Sequence, residues 1–251
     1  MKISTHKIIY TIISIFVILL VWEILVLVKN EPSIFPHISD IFISTINKFN
    51  KDNLVIILNT LLRTIISVII VMIISFIISF LYIVNKKTLA FFTPFISIMR
   101  STPLAVLSIF IFLLLDKIAP YVITILVILP VAIEGITTAI SNIDKNLLDD
   151  AKLNSPSIFK TIIYVYIPLI KNYLIMVFVQ IFGLGIKVMV MGEFICYTKN
   201  SIGKELSVLK YINELPDLIS WGIIIVLLVA IIEFIIKKIV QRQQRLINEI
   251  K

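Results

Sequence analysis

The sequence predicts an all-α, polytopic membrane protein with about six transmembrane helices and a cytoplasmic helix between two of them. Three observations carry this. The 251-residue chain is 59% hydrophobic with a mean hydropathy of +1.08, and a soluble domain of that composition would expose more apolar surface than water tolerates. Its apolar residues are gathered in runs of about 20 or more, enough for a helix to cross a ~30 Å hydrocarbon layer with every backbone group paired internally. Its 23 Lys and Arg residues, giving a net charge of +8, flank those runs instead of forming a nucleic-acid-binding stripe.

The first span is expected at residues 8–28, interrupted only by Glu23, which lies close enough to Lys29 to reach the interface. No small-residue cleavage site follows it in VLVKNEPSIF, so it reads as a retained helix. The second is expected at 59–84, ended by NKK at 85–87, and the third within 88–115, a stretch broken by RSTP at 100–103. Spans at 118–140, 169–194 and 218–236 complete a single transmembrane domain covering 1–251. Gly183 and Gly185 permit close helix approach, which makes the fifth span the expected centre of a dimer. Ser67, Ser75 and Ser79 are expected to hydrogen-bond backbone or neighbouring helices.

Positive charge gives the orientation. With the N terminus inside, thirteen Lys and Arg residues fall on the cytoplasmic side and seven outside, with Arg63, Arg100 and Lys187 left within or at the edges of spans. Both termini are therefore expected inside, and residues 141–167 become the longest cytoplasmic excursion between spans.

That excursion is patterned. In DKNLLDDAKL, Leu147, Leu148 and Ala151 fall on one side at helical spacing while Asp149, Asp150 and Lys152 stay polar, which predicts a short amphipathic helix. Asn154 and Ser155 form a break, with Ser155 as N-cap and Pro156 at the first position of a second helix. This helix should end before Pro168, whose ring disfavours helical backbone at Ile167. Two readings stand side by side: a helix lying on lipid headgroups, or a knob that fits a groove on a cytoplasmic partner.

Polar residues within spans are expensive unless they face protein or water. Arg100, with Ser101, Thr102 and Pro103, would line a pathway where the proline breaks a helix, or would anchor a shorter span at the interface. On the pathway reading its charge favours an anionic or strongly polar ligand, and Lys187, turned inward, adds to the same field. Lys187 and Glu193 lie six residues apart, so each reads equally as an ion-pair member or a substrate contact. Glu134 is expected to reach the cytoplasmic interface.

Catalysis is not written in the chain. No GxxxxGK[ST] phosphate loop, Ser-His-Asp set or metal-ligand cluster is apparent, Cys196 is the single cysteine, and His6 and His37 are isolated. The expectation is a non-enzymatic subunit with no catalytic or metal residues and no cofactor of its own. The outside loops are too short to form a ligand-capturing domain. An alternative is a secondary transporter, which would normally need more spans and paired intramembrane carboxylates, where Glu134 and Glu193 are the acidic residues counted deep in spans three to six. Another is a membrane-anchoring or assembly protein, which would not need a structured loop.

The loop resembles that of binding-protein-dependent ABC transporter permeases, whose signature is Glu-Ala-Ala, three residues, Gly, and a later Pro. Asp149, Asp150 and Ala151 stand at the first three positions, Ser155 at the glycine and Pro168 at the proline; Asp150 and Ser155 depart from the pattern. SIFPHISDIF, LLRTIISVII, PFISIMRSTPLAVL and GEFICYTKNSIGKELSVLKYINELPDLISWGIIIVLL are similar to the branch associated with nitrate, sulfonate, taurine and thiamine-precursor uptake. The resemblance implies a multi-pass permease of the bacterial cytoplasmic membrane working as a homodimer. Its partners would be ABC ATPase subunits holding ATP and Mg, and an extracytoplasmic substrate-binding protein; nucleic acid is not among them. Leu148, Asp149, Asp150, Ala151, Asn154, Ser155 and Pro168 would then meet the ATPase, and Arg100, Ser101, Thr102, Pro103, Lys187 and Glu193 would face the pathway.

Overall fold

A computed structural model describes residues 5–29, 31, 35–144, 146–148 and 157–249. Among these every regular element is helical: α1 (Thr5–Lys29), α2 (Ile38–Asn47), α3 (Lys51–Val84), α4 (Lys87–Ser101), α5 (Leu104–Leu115), a 3-10 turn (Asp116–Ile118), α6 (Ala119–Ser141), α7 (Ile158–Ile195), α8 (Ile202–Ile212) and α9 (Leu215–Glu249). Five helical stretches are long and apolar enough to cross a membrane: Ile9–Lys29, Lys51–Val84, Leu104–Ser141, Ile158–Ile195 and Leu215–Lys238. The protein is an all-α polytopic membrane protein.

The 88–115 stretch is two helices. Thr102, placed before a proline, is extended at ψ 124° and ends α4, and Pro103 opens α5. At 15 and 12 residues each is short of the ~20 needed to cross alone. The Leu104–Ser141 stretch in turn reverses at Asp116, whose φ of 44° is left-handed. Reversal follows from contacts: Arg100 reaches Pro130 and Glu134, and Ile111 clusters with Ala119 and Ile123. Together α4 and α5 thus run antiparallel to α6.

The main core joins α3, α6 and α7, with Val68, Val71, Ile128, Ile136, Ile181 and Ile186 all but excluded from solvent. Gly185 sits against Val68, Ile128 and Thr64, and Gly183 against Val229 and Glu233. These glycines serve packing inside the subunit, which corrects the expectation that they mark a dimer centre: their faces are already filled by α3, α6 and α9. Ser67, Ser75, Ser79 and Ser108 are buried with no hydrogen-bond partner among the described residues, unlike the expectation for the first three. In α3 their small size permits the close approach of neighbouring helices.

α7 bends the local rules. Its first turn (Ile158–Thr161) runs into a π-helical segment (Ile162–Tyr166) and then an α-helix that carries Pro168 near its start. Ile167 is helical at φ −59°, ψ −49°, so Pro168 does not end the helix as expected. A proline ring clashes with the carbonyl four residues back and lacks the N–H that would bond it. The wide turn containing Tyr164 accommodates both defects.

By contrast α1 is almost bare, with Val26 as its buried side chain among the described residues. Its attachment is local: Trp22 Nε1 donates to Pro36 O at 3.1 Å, and His37 Nδ1 meets Glu23 Oε1 at 2.7 Å. Helix α9 runs antiparallel to α7, with Trp221 near Val190 and Val229 near Gly183. The end of α9 therefore points toward the end of the bundle where α6 connects to α7, opposite α2 and α8.

Candidate functional site

Two polar constellations lie within the bundle. At the α2–α8 end, α3 offers Asn59, Thr60 and Arg63 on one helical face, and each holds the turn between α7 and α8. Asn59 Nδ2 donates to Asn200 O (3.4 Å), Arg63 Nη2 to Lys199 O (3.1 Å), and Thr60 Oγ1 accepts from Ile202 N (3.1 Å). The fully buried Glu193 carboxylate binds Arg63 Nη1 at 2.7 Å, Thr60 Oγ1 at 2.9 Å and Gly203 N at 3.4 Å. Gly203 is required by space: a Cβ there would overlap Phe194 N, Glu193 Cβ and Val190 O. Tyr197 and Asn200 are left-handed at φ 50° and 51°, a strained state for tyrosine. Glu193 thus anchors this turn in the structure and faces no open space, because α3 and α8 enclose it.

The second constellation is the α4–α5 joint. Arg100 pairs with Glu134 of α6 and donates from Nη2 to Pro130 O at 3.4 Å; both side chains remain largely exposed on the subunit. Glu134 therefore serves as the counter-charge of Arg100, a role its sequence position did not announce. Ser101 Oγ and Thr102 Oγ1 both donate to Ile98 O, at 3.2 and 2.7 Å, and so close the end of α4. Leu104 and Leu107, just past Pro103, join a cluster that also holds Leu184 and Val188 of α7. Lys187 stands beside Val188, is exposed, and has no ion-pair or hydrogen-bond partner among the described residues. The structure thus holds Arg100 against α6 and closes α4 with Ser101 and Thr102, and only Leu104 and Leu107, next to Pro103, share a cluster with the segment around Lys187, while Glu193 belongs to the other constellation.

In the α6–α7 connection, residues 146–148 are helical; Asp144 Oδ1 accepts from Asn146 N at 2.9 Å, and Leu148 packs against the main core. Asp149, Asp150, Ala151, Asn154 and Ser155 lie outside the described residues.

The family model for the binding-protein-dependent transport system inner membrane component matches residues 77–247, from the end of α3 nearly to the end of α9. The chain belongs to that family. No curated protein matches it. It is the membrane permease component of a binding-protein-dependent importer.

Sequence reasoning missed several residues of this permease. Arg63 and Thr60 were invisible as partners of Glu193, since more than a hundred residues separate them; the signal available was the i, i+3, i+4 polar face of α3. Glu233 also lies within a membrane-spanning stretch and was not counted; it pairs with Lys237 at 2.9 Å. At the α2 end of the permease an open polar pocket of about 390 Å³ is lined by Asp40, Ser44, Asn47, Lys48, Asn53 and Asp217 among others. Two of its charges are already matched to each other, because Asp217 pairs with Lys48; Asp217 also accepts from Ser44 Oγ at 2.5 Å. Among the described residues no cluster of three His, Cys, Asp or Glu side chains could hold a metal. Burial, with Asp116 nearby, pushes the Cys196 thiol up to about 11, so little thiolate exists at neutral pH.

Proposed function

We propose that two copies of this permease form the translocation pathway and that residues 141–167 couple it to separate ATPase subunits, which hold ATP and Mg. The ligand comes from an extracytoplasmic binding protein, in the manner of the nitrate, sulfonate, taurine and thiamine-precursor branch. Both termini face the cytoplasm of a bacterial cell. The observation that carries this reading is the family match, which spans the whole α6–α7 connection. Geometry supports it: α7 has 38 residues, about 57 Å, so it outreaches a ~30 Å hydrocarbon layer and carries its first turns beyond the lipid. The connection also leaves the bundle at the end toward which α9 points.

The test is Ala151→Asp. A charge at the apolar centre of a coupling helix would be buried against the ATPase without a partner. The variant is expected to insert normally but to lose co-purification with the ATPase and ligand uptake. Normal uptake with the ATPase bound would instead make the loop an interfacial helix.

A further inference from the structure

Helix α7 is the most buried of the membrane-spanning stretches, yet one line of it is left uncovered by its own subunit. Met176, Gln180, Lys187 and Met191 are exposed along that line and Leu184 is half-buried, while Val177, Val179, Ile181, Phe182, Ile186, Val188, Met189 and Val190 around them are buried. Spacings of three and four place these residues on one helical face. Gln180 and Lys187, two turns and about 10 Å apart, both lack a side-chain partner among the described residues. An amide and an ammonium in mid-helix are costly against lipid, where nothing satisfies them. By contrast Arg63 is paired with Glu193, Arg100 with Glu134 and Lys237 with Glu233.

We infer that the Gln180–Lys187 line of α7 faces the water-filled pathway and gives it a positive potential that favours a ligand bearing an anionic group. This rests on the proposed reading of the chain as the pathway-forming subunit. The field comes from Lys187 and its copy across the pathway. Arg100, the expected source, is neutralised by Glu134. Gln180 supplies a donor and an acceptor one step further along, so a ligand leaving the ammonium meets a neutral polar group and is not trapped.

The experiment uses the full transporter, permease with its ATPase, in proteoliposomes. Cys196→Ser removes the single native thiol. Gln180→Cys then reports on the line, and Ile73→Cys, on an exposed apolar face of α3, serves as the control. Membrane-impermeant thiosulfonates of similar size, one carrying a sulfonate and one a quaternary ammonium, are added on both sides. Gln180→Cys should label much faster than Ile73→Cys and prefer the anionic reagent by about tenfold, the effect of a unit charge about 10 Å away in a partly aqueous site. Lys187→Met should abolish that preference and Lys187→Arg should keep it. Labelling of Gln180→Cys no faster than Ile73→Cys would overturn the inference, showing the line sealed against lipid or protein; so would equal rates with both reagents, or a preference that survives Lys187→Met. Co-purification of the ATPase, scored in the same samples, separates these failures from failure of the coupling reading.

Discussion

Removing the Glu193 carboxylate leaves the mostly buried Arg63 guanidinium without its counter-charge, and leaves Thr60 and Gly203 N short of an acceptor. Breaking a buried pair in this way costs about 3–5 kcal/mol, whereas an exposed pair is worth below about 1 kcal/mol. Glu193→Ala is therefore expected to lower the thermal unfolding midpoint of the detergent-solubilised chain sharply, and Arg63→Met combined with Glu193→Leu to recover part of the loss. A single-variant loss below about 1 kcal/mol would contradict the buried pairing. A second residue-scale prediction concerns pH. The hydrogen bond that His37 donates to the Glu23 carboxylate holds its pKa above the ordinary 6.5, because the carboxylate stabilises the imidazolium. The pair's contribution is full below 6.5 and is lost as pH rises through the raised value. Trp22, bonded to the neighbouring Pro36, should report this as a fluorescence transition centred above 6.5 that moves down in Glu23→Gln. An unchanged midpoint in that variant would mean that the carboxylate does not set it.

At the scale of elements, Gly185 and Pro168 make opposite demands. A methyl at Gly185 would meet Val68, Ile128 and Thr64 at 3.4 to 3.6 Å, ordinary contact, so Gly185→Ala should be nearly neutral. Gly185→Leu overfills the same space and should cost about 1–3 kcal/mol or more, read as a lower unfolding midpoint. Pro168→Ala removes the clash that the π turn absorbs, so Ile162–Tyr166 should relax to α geometry and rotate the Ile158–Thr161 turn by about 100° about the helix axis. Uptake is then expected to fall several-fold with the ATPase still bound. Unaltered uptake would show that the turn's orientation does not transmit the stroke. The long apolar helices were legible because run length alone separates them from soluble elements. The α4–α5 break was legible too, since Pro103 constrains Thr102 locally. Helix α8 was not: it has 11 residues, and its apolar Ile202 and Leu209 are interleaved with Lys204 and Lys210, so only contact with α7 and α9 defines its buried face. Pro168 misled because a rule about one preceding residue does not foresee a widened turn four residues back.

For the whole molecule, composition gave the solvent and motif resemblance gave the family, but pairing between distant helices came only from the folded chain. The Arg63–Glu193 and Arg100–Glu134 contacts bridge 130 and 34 residues, and no periodicity encodes them. The proposed sidedness, with both termini inside, rests on the excess of positive residues on one side. A reporter active only in the cytoplasm should therefore work when fused after Lys251 and fail near Lys204; activity near Lys204 would reverse the topology. The most direct measurement is reconstitution of this permease with its ATPase in proteoliposomes, with ATP hydrolysis followed as the binding protein and its ligand are added. Hydrolysis should rise only when permease, ATPase and loaded binding protein are all present, and the rise should vanish with Ala151→Asp. An ATPase that fails to assemble with the chain, or one whose hydrolysis ignores the binding protein, would contradict a role as the coupled membrane subunit of an importer.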